Sequence, residues 1–127
     1  MKRPDMRPDL VEWQWKGYRD FHGSRLNLLI HIIAVPAFIL ATLNVVWALL
    51  HAEWFFASFG LGSMMIAFMA QAVGHAAEKN PAIPFDGPLD AVSRIFVEQF
   101  FNFPRFVVSG QWLKAFRAAP EEPGSPV

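Results

Sequence analysis

From Leu26 to Gly74 the sequence carries one formally charged residue, Glu53. A bilayer's hydrocarbon core takes about 20 apolar residues per helix. Leu26 to Leu50 and Trp54 to Gly74 each meet that length, on either side of a tight turn at His51-Ala52-Glu53. The predicted fold class is therefore all-α, an integral membrane helical hairpin.

Lipid should exclude the polar residues inside this stretch, so their positions are informative. In an antiparallel pair folded about Glu53, residues whose numbers sum to about 106 share a depth, as antiparallel helices of equal rise require. His31 then faces the level of His75, and Asn27 that of Glu78 and Lys79. Asn27 and His31 are four apart, and Gln71, His75 and Glu78 are spaced four and three, so each set forms one helical stripe. Both stripes converge at the end of the hairpin away from the turn.

The chain of 127 residues reads as one domain. Its 11 basic and 11 acidic residues balance, so net charge supports neither nucleic acid nor a polyanion as partner. The absence of cysteine removes disulfides, thiolate metal sites and a cysteine nucleophile, leaving histidine and carboxylate as metal ligands. The first apolar segment is too long for the core of a signal peptide and should stay in the membrane. Lysine and arginine fall at 2, 3, 7, 16, 19 and 25, then at 79, 94, 105, 114 and 117, with none in the turn. By the positive-inside rule both termini are cytoplasmic, which in a bacterial cell places the protein in the inner membrane. Oligomeric state cannot be read from these features.

Met1 to Pro8 reads as a basic, poorly ordered arm. Asp9 and Glu12 have capping-box spacing, and a helix from about Leu10 to His22 would lie in the membrane interface with Trp13, Trp15 and Tyr18 as an aromatic belt. Gly23-Ser24 breaks that helix and places Ser24 to cap the next; the bend lets His22 fold back towards His31 and His75. Pro36 should kink the first membrane helix just beyond His31. Ala34, Ala41 and Ala48 recur every seven residues, as do Gly60, Ala67 and Gly74, a pattern that lets helices approach closely in lipid. After the hairpin, Pro88 sits at a first helical position with Asp86 before it. Leu89 to Phe106 is phenylalanine-rich, carries Arg94, Glu98 and Arg105 and is broken at Pro104, so a re-entrant or surface-lying amphipathic helix packed on the hairpin is expected. Gly110 to Phe116 forms a short basic turn, and Ala118 to Val127 reads as a disordered tail.

Three histidines and a carboxylate reaching one depth make a metal site. His22, His31 and His75 suit Fe(II) or Zn(II), and spacing does not choose between them. Glu78 is available as a fourth ligand, a proton acceptor or a hydrogen-bond partner, while Asn27 and Gln71 are placed to orient the rings of His31 and His75. His51, at the far turn roughly 30 Å away at helix rise, is an ordinary interfacial residue. Two rival readings use the same residues: a small b-type cytochrome with His31 and His75 as axial ligands, and a non-catalytic scaffold whose polar stripes only hold helices together.

The motif Tyr18-x3-His22-x4-Asn27-x3-His31-x4-Pro36, followed by Gln71-x2-Gly74-His75-x2-Glu78-x-Asn80-Pro81-Ala82, resembles the Mpo1-like membrane protein family over about residues 18 to 84. The resemblance implies an Fe(II)-dependent dioxygenase that removes one carbon from 2-hydroxy fatty acids, a step of fatty-acid α-oxidation. Its partners would be a long-chain 2-hydroxy fatty acid, O2 and membrane lipid. His22, His31 and His75 become the iron ligands, with Glu78 and Asn27 as supporting catalytic residues. The acyl chain would lie in lipid between the hairpin and the phenylalanine-rich segment, its two head oxygens on iron. Lys79 and Arg25 are candidates to pair with its carboxylate, although snorkelling to head groups accounts for both.

Overall fold

The structure, a computed structural model, describes residues 9–119. The expected basic arm and all but the start of the expected tail lie outside them. Helix α1 (Leu10–Gly17) passes into a 3-10 turn at Tyr18–Phe21, then come α2 (Arg25–Leu50), α3 (Trp54–Ala76), α4 (Pro88–Val97), a π-wound turn at Glu98–Asn102, α5 (Phe103–Val108) and α6 (Gln111–Ala118). Among the described residues the fold is all-helical.

Helices α2 and α3 form the hairpin. At 26 and 23 residues they are about 39 and 35 Å long, and both are apolar enough to cross a membrane. Ser24 caps α2 as expected, its hydroxyl accepting from the Asn27 N–H at 3.4 Å. Pro36 sits inside α2 without interrupting it. The small-residue stripes meet: Ala34, Ala41 and Ala48 are buried on α2, and Gly60, Ala67 and Gly74 on α3. A Cβ built on Gly60 would stand 2.6 Å from Val45 Cγ2 and 3.2 Å from the Ala41 carbonyl, so only glycine permits that approach. Close packing of this kind holds helices together where the solvent is itself apolar. The outer faces carry Ile33, Leu40, Phe55 and Ile66 at 67 to 73% exposure, far more apolar surface than a water-soluble monomer displays.

The N-terminal helix differs from expectation in two ways. Asp9 is at the N-cap position of α1 but makes no side-chain cap bond, its ψ of 22° lying outside the extended region usual for a cap, and Glu12 pairs instead with Arg105 at 3.5 Å. The helix also tightens into 3-10 winding after Gly17, which ends its α-helical part five residues before His22.

The segment after the hairpin packs against it, as expected, but Pro104 does not break it. The Phe103 N–H donates to the Glu98 carbonyl five residues back, so one π-wound turn widens the helix just ahead of the proline. Proline lacks a donor and crowds the preceding turn; π-winding accommodates both. Gln14 fastens this helix to α1, donating to the Arg94 carbonyl at 3.0 Å and accepting from Asn102 at 2.8 Å. At the start of α4, Pro88 follows a Gly87 N-cap with φ of 148°, and Asp90 accepts the Asp86 N–H at 2.8 Å. Tyr18, Leu28, Val35, Phe103, Phe106 and Ala115 form the main core. Helix α6 closes over it, the Trp112 indole donating to the Leu28 carbonyl at 3.1 Å. Ala118, expected to open the tail, is the last residue of α6.

Candidate metal centre

His22 follows the 3-10 turn, His31 lies two turns into α2, and His75 is one residue from the end of α3. The hairpin brings His31 and His75 to one depth, with ring centroids 5.0 Å apart. The bend at Gly23-Ser24 returns His22 to within 4.9 Å of one ring and 4.8 Å of the other. The planes meet at 80 to 88°, so three imidazoles stand almost mutually perpendicular around one point.

Backbone carbonyls fix two of the tautomers. His22 Nδ1 lies 2.7 Å from the Tyr18 carbonyl and His31 Nδ1 lies 3.0 Å from the Asn27 carbonyl. A carbonyl only accepts, so each Nδ1 carries the hydrogen and donates it. Each Nε2 then turns inward, 3.2 Å and 3.4 Å respectively from the same oxygen, Oε2 of Glu98. Two ring nitrogens facing one carboxylate oxygen make a set of lone pairs into which a proton or a metal ion fits.

Glu98 is the fourth member of the cluster: its ligand atom and those of the three histidines all lie within 4.8 Å of one another. It is the first residue of the π-wound turn, a distortion found frequently at functional sites. Burial by itself raises the Glu98 carboxyl, but the hydrogen bonds and charge of His22 and His31 outweigh it and hold the group well below the usual range. The Tyr18 hydroxyl donates to Oε2 at 2.7 Å, and its ring stacks on His22 at 3.8 Å. Burial, then the adjacent Glu98 charge and that hydrogen bond, raise the Tyr18 phenol well above 10 and keep it neutral.

Other expected site residues are placed differently. Glu78 lies at the depth of Asn27, as the register requires, but its carboxylate is not part of the four-residue cluster. It accepts from the Gly23 N–H at 2.9 Å, the Ser24 N–H at 3.1 Å and the Asn27 side chain at 2.7 Å, pinning the bend that carries His22. Asn27 orients His31 through its backbone carbonyl, while its side chain serves Glu78 and the Phe21 carbonyl. Gln71 does not reach His75; it forms a reciprocal amide pair with Gln99 at 2.8 and 2.9 Å, because the helix carrying Gln99 packs against that side of α3. Tyr18 is core rather than interfacial belt, being only 3% exposed. Arg25 stacks over Phe116 and donates to its carbonyl at 3.0 Å. His51 caps α2 at the far turn, exposed and stacked on Trp47.

Glu98 was not a sequence candidate. Its one sequence signal is a carboxylate in a phenylalanine-rich stretch with a proline six residues on.

The residues fit a metal ion. His75 Nδ1 is buried without a hydrogen-bond partner, and His31 Nε2 has only the 3.4 Å contact with Glu98 Oε2; a buried nitrogen left so is costly unless something ligates it. An ion with bonds of about 2.1 Å spans donors up to about 4.2 Å apart, which this set approaches. A porphyrin does not fit, because His22 and Glu98 occupy the space beside the close-packed rings of His31 and His75.

A family model described as 2-hydroxy-palmitic acid dioxygenase Mpo1-like matches residues 9–103, a span holding all four cluster residues. The chain belongs to the Mpo1-like family. No curated protein and no solved structure matches it.

Beside the centre of this Mpo1-like chain is a cavity of about 810 Å³, reached by His22, His75 and Glu98 and walled by α1, α3, α4 and the segment at 81–85. Arg94 holds that segment in place, donating to the Ile83 carbonyl at 2.8 Å and the Pro84 carbonyl at 3.0 Å. Asn80 ties its start to the Asp20 carbonyl at 2.8 Å.

Proposed function

We propose that this protein is an integral membrane Fe(II)-dependent dioxygenase that removes one carbon from long-chain 2-hydroxy fatty acids, with both termini on the cytoplasmic side. The observation that carries the reading is the cluster of three perpendicular imidazoles and one carboxylate beside a large cavity. Histidine with carboxylate and open positions is the ligand pattern of non-haem iron oxygenases, and the family description supplies the substrate class.

His22, His31, His75 and Glu98 would hold the iron, whose chemistry when bound is the activation of O2 and of the 2-hydroxy acid. The Tyr18 and Asn27 carbonyls hold the imidazoles of His22 and His31 in the tautomer that presents Nε2. The Tyr18 hydroxyl fixes Oε2 of Glu98. Glu78 and the Asn27 side chain keep the bend closed, so they support the site by positioning His22. The cavity shelters an acyl chain and limits water near the reacting head.

The test is turnover by detergent-solubilised protein given Fe(II), O2 and a long-chain 2-hydroxy fatty acid, followed by mass spectrometry. The expected product is one carbon shorter and forms only with O2, without 2-oxoglutarate. One-carbon loss that persists without O2, or an iron-loaded protein that leaves every chain length intact, would overturn the reading.

A further inference from the structure

We propose that Lys16, on the cavity wall, is the specificity residue that reads the ionised head of the lipid acid bound there, so that one side chain discriminates acid from alcohol. The inference rests on taking this cavity as the substrate site.

The walls show what fits. Phe68, Ala72 and Ala76 of α3, Ile95 of α4, and Ile83 and Phe85 form the apolar part of the wall. Ala72 and Ala76 are four residues apart on one side of α3 and exposed. They adjoin Met69 and Val73, which are 60 and 62% exposed on the outer apolar surface. Small side chains at this lip leave the cavity continuous with the surface that faces lipid. A volume of about 810 Å³ is that of a site for one small ligand, which favours one alkyl chain over a two-chain lipid.

The charges show which head group. Lys16, Glu78, Arg94 and Glu98 are the Asp, Glu, Lys and Arg residues that line the cavity. Glu78 is saturated by Gly23, Ser24 and Asn27, and Glu98 by Tyr18 and the histidines. Arg94 is neutralised by Asp90 at 3.3 Å, tied to two carbonyls and covered by the rings of Trp13 and Phe85. Lys16 alone makes no hydrogen bond or ion pair among the described residues. The wall therefore offers one uncommitted positive charge, complementary to a carboxylate and indifferent to an alcohol.

The experiment is equilibrium binding of radiolabelled palmitic acid and of hexadecanol to the purified protein in neutral detergent at mildly alkaline pH. Neither ligand carries a 2-hydroxyl, so no turnover is required. Wild type should prefer the acid; Lys16→Gln should lower the acid-to-alcohol affinity ratio roughly fivefold, the upper range for an exposed ion pair, with metal content unchanged. Lys16→Arg should restore the ratio. Ala72→Trp should weaken both ligands by obstructing the lip. An unchanged ratio in Lys16→Gln, a wild type that binds the alcohol as tightly as the acid, or undiminished binding in Ala72→Trp would overturn the proposal. A protein that binds acid through Lys16 yet converts no 2-hydroxy acid would sink the proposed reaction and leave this inference standing.

Discussion

Replacing Gly74 by alanine adds one methyl group where α2 and α3 are closest to the metal centre. A Cβ there would collide with Asn27 Oδ1 and lie 3.2 Å from the Asn27 Cα, so the side chain and the backbone of α2 are both in the way. Asn27 cannot simply swing aside, because its amide donates to Glu78 at 2.7 Å and its carbonyl orients His31. Either the helices separate or the Asn27–Glu78 bond breaks. Overpacking of this kind costs about 1–3 kcal/mol, and disturbing a group that orients a ligand lowers metal affinity by about 10- to 100-fold. Gly62→Ala is the matched control on the same helix: nothing lies within 4 Å of its added methyl, and helix propensity makes the change neutral or favourable by up to about 1 kcal/mol. The assay is metal retained after dialysis against a graded series of chelators, with the apparent melting temperature alongside. Gly74→Ala should lose metal at much weaker chelation and melt lower, while Gly62→Ala follows wild type. Equal retention in the two variants would refute the argument that close approach at Gly74 sets the site.

His22→Ala, His31→Ala and His75→Ala should each strip most of the metal, whereas His51→Ala, at the opposite end of α2, should keep it, as elemental analysis would show. Glu98→Gln should reduce bound metal directly, and Glu78→Gln should do so less, since Glu78 acts through the bend rather than on the ion; chelator titration ranks the two. Metal retention should also fall in acid, because each imidazole must be free of its proton to ligate, and a pH series of the same dialysis reads it. Engineered cysteines at 52 and 119 should label unequally with a membrane-impermeant reagent on intact cells, the first more than the second, if the hairpin crosses the membrane with both termini inside.

The hairpin and the pairing of His31 with His75 were legible because they follow from one-dimensional rules. Helix rise is constant, so an antiparallel pair folded about Glu53 must bring His31 to His75 and Asn27 to Glu78, and the structure has both pairs in contact. The heptad of small residues was equally readable, since close packing in lipid requires it. The return of His22 followed from a glycine-serine break, whose cap at Ser24 is present.

What the sequence by itself determined, then, is everything fixed by spacing along two helices and the turn between them. Tertiary structure decided the rest. Gln71 was one turn from His75 but found Gln99, because the third helix packs there and no spacing rule names a partner 28 residues away. Tyr18 looked like an interfacial aromatic until Phe106, the His22 ring and the Glu98 carboxylate buried it. Glu98 itself lies in a segment whose docking is set by contacts with α1 and α2, and it opens a π-wound turn ahead of Pro104 that sets how Phe103 and Phe106 reach the core beside it. That winding adds a residue to one turn and changes the face on which every later side chain emerges, which periodicity read from an ideal α-helix cannot supply.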